Sequence, residues 1–237
     1  GQEAEAIPLL KRAVELDPNF ALAHGNLAVV YNNIGENELS AEYQKKAFSL
    51  RERASEREKL YIAAHYYNIV TGELDKVKET YELWKQTYPR DLVPWNNVAV
   101  VYNIMGQYDK GLEAAREAQR LNPNSINPYY VQATAFMGLN RFEEAKAISE
   151  KALAQKFESP YLHVGLYLIG FLQGDTAAMQ RQVEWARGKP VEYLMLSAQA
   201  QTGAQAGKLR EARELSRRAS EGARRAGFKE SAALIEA

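Results

Sequence analysis

The chain has 237 residues, 46% hydrophobic and 25% charged, with thirty basic residues set against thirty acidic ones and no cysteine. This is the composition of an ordinary globular protein. The charge balance gives no global pull toward nucleic acid or an anionic membrane, and the lack of cysteine excludes disulfides, thiolate metal sites and a catalytic thiol. The longest apolar run, Tyr161 to Leu172, falls short of the ~20 residues that a bilayer-spanning helix needs, so no membrane insertion is expected. No basic then apolar leader opens the sequence, and a cytoplasmic location is the expectation. The first residue is Gly1 rather than Met, which reads as a piece of something longer.

The organising feature is a repeat. Residues suited to a left-handed cap between two helices occur at Gly1, Gly35, Gly72, Gly106, Asn140, Gly174 and Gly207, at spacings of 34, 37, 34, 34, 34 and 33. Gly, and less often Asn, is favoured there because many helices end on one residue at positive φ. Helical periodicity on both sides of a recurring cap means stacked helical hairpins.

In chain order, residues 1–20 read as the second helix of a unit whose first helix is missing, with Ala6, Leu10, Ala13 and Pro18 at recurring positions. Pro8 is placed near the helix start, where the loss of a backbone bond is tolerated. The first whole unit, about 21–54, carries His24, Leu27, Ala28 and Tyr31, then Ser40 and Ala47. The charged extension Arg51-Glu52-Arg53-Ala54 accounts for the three extra residues of the 37-residue spacing, and Ser55 with Glu58 forms a capping box. The second unit, 55–91, is irregular: His65 and Trp84 stand where small residues are expected, which predicts a widened hairpin or a shifted neighbour, and a break in pitch over residues 51–91. The third, 92–125, is the clearest copy, reading LVPWNNVAVVYNIMGQYDKGLEAAREAQRLNPNS, with Trp95, Val98, Ala99 and Tyr102 on its first run and Gly111, Ala118 and Pro123 after it. The fourth, 126–159, keeps Tyr129, Ala133, Phe136, Ala145 and Ala152. The fifth, 160–192, drifts, and the sixth, 193–226, keeps Ala200, Ala212 and Ala219 before a partial helix at 227–237. The expectation is a single domain over 1–237.

Chemistry is scarce. His24, His65 and His163 lack a second ligand at i+3 or i+4, as a helical zinc site would need, and read as structural. Gly203 to Leu209 has one residue too few between its glycines for a phosphate loop, and Leu209 stands where Ser or Thr would bind magnesium. Glu143-Glu144 sits on a polar face with nothing to shift its pKa. The arginine-rich helix from Lys208 interleaves Glu211, Glu214 and Glu221, a pattern of surface ion pairs rather than of nucleic-acid binding. No catalytic residue, metal site or cofactor is assigned.

The W-x-x-L-G-x-x-Y spacing of the third unit and its fixed period resemble the tetratricopeptide repeat. That resemblance implies an all-α, right-handed superhelical solenoid of helix-turn-helix repeats, about six in number and truncated at both ends. It further implies a non-catalytic scaffold whose first helices line a concave groove for a peptide or partner protein, with self-association through the cut ends as a further option. The groove candidates are Asn26, Asn33, Asn96, Asn97, Asn103 and Tyr130, with Asn32 beside them. An amide both donates and accepts, so it can pair with a peptide backbone; the alternative is that these asparagines solvate the groove or bond between repeats. Asn26 is followed by Lys59 but by Ala63, and Asn97 by Asn127 and Val131, so the carboxylate clamp of the chaperone-binding members is not reproduced. Val131, Met137, Tyr161, Leu168 and Phe171 make an apolar wall, which either the chain itself, a partner or a small sensed ligand could cover. Finally, SEREKLYIAAHYY (55–67), YELWKQTYPRD (81–91) and LQGD (172–175) resemble the C-terminal repeat regions of large bacterial signalling proteins, especially serine/threonine protein kinases. This implies a regulatory segment; no kinase motif is present in the chain itself.

Overall fold

The computed structural model describes residues 2–157 and 159–236; the cap expected at Gly1 and the last residue of the expected terminal helix, Ala237, lie outside the described residues. Among these, fourteen α-helices and no strand occur: α1 (Gln2–Leu16), α2 (Ala21–Asn33), α3 (Asn37–Ser49), α4 (Glu56–Tyr66), α5 (Leu74–Thr87), α6 (Leu92–Ile104), α7 (Tyr108–Leu121), α8 (Asn127–Gly138), α9 (Phe142–Ala154), α10 (Pro160–Gln173), α11 (Thr176–Ala186), α12 (Glu192–Gln205), α13 (Leu209–Arg225) and α14 (Lys229–Glu236). The chain divides into two compact units, residues 1–101 and 102–237, with the division inside α6. The sequence period carries no mark at this point, because each repeat contacts mainly its neighbours and no shared central core exists.

The two helices of a hairpin are built differently. A second helix is amphipathic: α7 buries Gly111, Leu112, Ala114, Ala115 and Ala118 and leaves Asp109, Lys110, Glu113, Arg116 and Arg120 exposed. A first helix is apolar on several sides and is gripped by second helices. The turn between them closes at positive φ on Gly35, Gly72, Gly106, Asn140, Gly174 and Gly207, as the spacing predicts. Lys156 and Gly188, which the repeat did not mark, adopt the same conformation in turns between hairpins. α1 begins at Gln2, so Pro8 lies inside it rather than near its start and removes one bond from the ladder.

In the first unit the capping box at α4 is present: the Glu58 amide donates to Ser55 Oγ and the Ser55 amide donates to Glu58 Oε2. The irregular hairpin, however, has a different origin from the one expected. Arg51–Arg53 forms a 3₁₀ turn, and α4 ends in a π-helical turn at Tyr67–Thr71. Ala64, not His65, is the fully buried small residue of α4. It stands eight residues before Gly72, whereas Ala28, Ala99 and Ala133 stand seven before Gly35, Gly106 and Asn140. A π turn takes up one extra residue, so one of the three inserted residues sits there and two precede α4. His65 is thereby rotated off the small position and is only half-buried.

Trp84 does occupy the small position of α5, in register with Ala47, Ala118 and Ala152, and it is fully buried as they are. Its Nε1 donates to Asp91 Oδ2 at 3.0 Å, the same oxygen accepts from Arg57 Nε at 2.6 Å, and Asp91 Oδ1 accepts the Val93 amide at 3.1 Å. The bulky indole is therefore fixed by one carboxylate that also caps the entry to α6.

In the second unit the packing runs through small residues and aromatics. Ala145, Ala135, Phe136, Leu112 and Ile169 form one cluster, and Tyr129, Ala152 and Leu162 another. Gly170 is required by close approach: a Cβ there would lie 3.1 Å from Met179 Cγ and 3.2 Å from the Asp175 carbonyl.

Candidate functional site

In the first unit the asparagines fall into two classes. Asn26 on α2 is half-buried and lines an apolar surface cavity of about 380 Å³ with Leu9, Leu10, Val29, Val30 and Tyr61. Asn32 and Asn33 are exposed at the end of α2. Asn97 on α6 is half-buried and bonds between repeats, the alternative to a groove contact. Its Nδ2 donates to Tyr81 Oη at 3.1 Å and its Oδ1 accepts from Asn96 Nδ2 at 3.2 Å. The reason is Tyr81: its hydroxyl is carried into the core of α5 and needs a partner, and burial drives its pKa upward, with the Asn97 bond opposing. Tyr61, close to Trp84, is likewise pushed up to about 12 by burial. Asn96 Oδ1 is buried and has no hydrogen-bond partner among the described residues.

In the second unit Asn103 also ties repeats together, its Nδ2 donating to the Val131 carbonyl of α8 at 3.0 Å, while its Oδ1 is buried without a partner among the described residues. Tyr130 of α8 and Tyr161 of α10 are 40% and 52% exposed, and their rings meet at 5.7 Å between centroids, tilted by 50°. Met137 of α8 packs on the cluster that includes Ile169 of α10.

The apolar wall does not form one surface. Val131 is buried, so it faces the repeat core and not a ligand. Met137 packs on the Leu112–Phe136 cluster, and Leu168 on a separate cluster of Tyr167, Ala186, Met195 and Ala198. Phe171 lines a cavity of about 320 Å³ together with Tyr167, Met179, Val183 and Leu215. Much of the apolar run on α10 is thus covered by the chain, with Leu162, Leu166, Tyr167 and Ile169 buried, while Tyr161 and Leu172 are left exposed. Tyr167 is held by Thr202, oxygen to oxygen at 2.8 Å.

The histidines are engaged by the protein. His24 Nε2 lies 3.0 Å from the Pro18 carbonyl, His65 Nδ1 lies 2.8 Å from the Tyr61 carbonyl, and His163 Nδ1 lies 2.7 Å from Gln182 Oε1 with its ring stacked on Trp185. At Gly203 to Leu209 the backbone closes a helix end, the Lys208 amide donating to the Gly203 carbonyl at 2.8 Å. On α13, Arg217 pairs with Glu214 and Glu221, and Arg224 pairs with Glu236, which makes this the ion-paired surface that the alternation of signs predicts.

A feature that the periodicity alone did not disclose is the distribution of charge. α2, α6, α8 and α10 contain no Asp, Glu, Lys or Arg, and α12 has only Glu192. Every second helix from α3 to α13 carries both signs. α4, which opens with Glu56, Arg57, Glu58 and Lys59, is the charged exception among these first helices. The signal was present in the sequence, but it emerges only when residues are sorted by helix.

Comparison with known proteins gives the same architecture. Residues 9–41 match one family model of the tetratricopeptide repeat, and residues 94–125 and 126–158 match another. Tetratricopeptide repeat protein 28 of Homo sapiens is 35% identical over 78 residues; these are 33% of this chain and 3% of that protein, so the chain spans a small fraction of this curated relative. Among solved structures, a tetratricopeptide repeat protein from Parabacteroides merdae superposes with a TM-score of 0.64 at 15% identity, covering 99% of this chain and 93% of its own. A chain of the APC/C hetero-tetramer Cut9–Hcn1 superposes with a TM-score of 0.71 at 14% identity, covering 99% of this chain and 46% of its own. At these identities the structural likeness is one of fold. No helix among the described residues is long and apolar enough to cross a membrane. With three segments matching the repeat and its hairpins recurring along the chain, the protein contains tetratricopeptide repeats in an all-α fold of that kind; proteins built on this repeat generally mediate protein–protein interaction and are typically non-catalytic.

Proposed function

We propose that this chain is a non-catalytic interaction module that takes a peptide or partner protein on the exposed face of its first helices. The observation that carries the reading is the Tyr130–Tyr161 pair, two large, exposed rings in contact on the first helices of adjacent hairpins. Large aromatics supply much apolar area with few rotatable bonds, and they are the residue type over-represented where binding energy concentrates. Asn103 serves this face indirectly, by donating to the Val131 carbonyl of α8, the helix that carries Tyr130. The finer reading, a regulatory segment of a larger bacterial signalling protein, is supported by the resemblance of residues 55–67, 81–91 and 172–175. In this fold those segments also have local tasks: Ser55 caps α4, Trp84 and Asp91 lock α5 to α6, and Asp175 caps α11 by accepting the Ala178 amide at 2.8 Å. A random-peptide display library panned on the whole chain tests the proposal. Enriched peptides that lose binding to a Tyr130→Ser, Tyr161→Ser double variant of unchanged helicity are the expected result. A library from which no peptide is enriched, or peptides indifferent to both substitutions, would sink it.

A further inference from the structure

The charge segregation specifies the chemistry of the occupant. Protein surfaces ordinarily mix charged residues of both signs over roughly a quarter to a third of their positions. Where α8 and α10 reach solvent around the ring pair there is none: the exposed or half-buried residues there are Asn127, Tyr130 and Thr134 on α8, with Tyr161 of α10 lying against Tyr130. Depletion of charge together with enrichment of Tyr, Phe and Met is what separates the buried centre of an interface from the rest of a surface. Charged groups meet these helices toward their far ends, where Glu143 Oε1 accepts from Gln173 Nε2 at 2.7 Å and the Arg141 guanidinium lies 4.8 Å from the centre of the Phe136 ring. Across this unit, Glu192 apart, the charges lie on second helices, on α14 and in turns. A charged partner group seated on this face would lose hydration and find no opposite charge to replace it.

Resting on the reading that this face binds a peptide, we propose that it takes an uncharged segment, anchored by an apolar or aromatic side chain against the Tyr130–Tyr161 rings. α10 has 14 residues, a rise of roughly 21 Å, which matches about six extended residues. Backbone amides of such a segment can donate to the hydroxyl oxygens of Tyr130 and Thr134, so recognition does not require a charge pair.

The display selection above separates this inference from the one it rests on. Peptides enriched on the chain should be depleted in Asp, Glu, Lys and Arg over a stretch of about six residues, and should carry at least one aromatic or branched aliphatic anchor. A synthetic copy of the most enriched peptide should bind with an affinity that changes less than about twofold between roughly 50 and 500 mM salt, and Tyr130→Ser should weaken it by about tenfold or more. Enriched peptides with a fixed charge, or affinity that falls steeply with salt, would overturn the uncharged occupant while leaving peptide binding intact. No enrichment at all would overturn both. Concentration-dependent dimerisation in sedimentation that Tyr130→Ser abolishes would assign the face to a second copy of the chain and equally overturn the proposal.

Discussion

The α4–α5 and α8–α9 hairpins are built on the same repeat. In α8–α9 the helices close over Ala133, Ala145 and Ala152, the turn is capped by Asn140 at φ 58°, and the first helix carries no charge. In α4–α5 the small position of the second helix holds Trp84, the first helix opens with four charged residues, and it ends in a π turn. The α8–α9 hairpin packs on small residues that let backbones approach; the α4–α5 hairpin instead buries one indole and pins it with Asp91. The repeat is therefore a frame that tolerates a large residue at a small position if a polar anchor and a one-residue register shift come with it. Among the charges on α4, Arg57 is drawn onto Asp91 and Trp84.

The largest expected effect comes from reversing that substitution. Trp84→Ala restores the consensus side chain yet empties a space the surrounding residues have grown around, so it should destabilise the first unit by about 3–5 kcal/mol, the range for deleting a buried large aromatic. Denaturant titration followed by helicity measures this. A loss below about 1 kcal/mol would mean that α4 and α5 collapse to the regular spacing, and the distinction between the two hairpins would vanish.

The ability to read these two hairpins from sequence was unequal, for physical reasons. In α8–α9 every cap and small position falls at a spacing of 34, so pattern and structure coincide. In α4–α5 a π turn consumes one residue without any side chain announcing it, and counting back from Gly72 therefore lands on His65 when the buried residue is Ala64. The candidate site shows a similar split. The exposure of Tyr130 was legible because an aromatic at an outward position of a first helix has few places to go. Asn97 was not, because an amide is equally suited to a ligand backbone and to the buried hydroxyl of Tyr81, sixteen residues away in sequence, and composition cannot choose between them. Val131 failed as a wall residue although α8 keeps the repeat register, because an apolar residue two before the small Ala133 suits the repeat core as well as a groove, and here it is buried.

A middle-sized effect probes the regular hairpin from the opposite direction. Ala152 is fully buried between Tyr129 and Leu162, in the register that Trp84 fills in α5. Ala152→Leu should cost about 1–3 kcal/mol by overpacking, seen as a lower denaturation midpoint. A neutral result would show that α8–α9 can open as α4–α5 does without a carboxylate to hold the intruder, and Asp91 would lose its assigned importance.

The smallest expected effect is a pH dependence confined to the irregular hairpin. His65 is packed against Tyr61 and faces Tyr81, with ring centroids 4.3 and 6.4 Å away. Burial pulls its pKa below the ordinary value of about 6.5, and the bond from Nδ1 to the Tyr61 carbonyl opposes this less strongly. A depressed base is neutral in the folded protein and takes up its proton first in the unfolded chain. Its contribution is therefore fully present above about pH 6.5 and is lost as the pH falls from there toward the lowered native value. His24 and His163, and all the carboxylates, are shared by the wild type and a His65→Gln variant, so the difference between their melting curves isolates this group. Between about pH 7.5 and pH 5 the wild type should lose more thermal stability than the variant. Parallel losses would show that His65 reaches solvent on protonation at no cost, and that the π turn leaves it freer than its ring contacts imply.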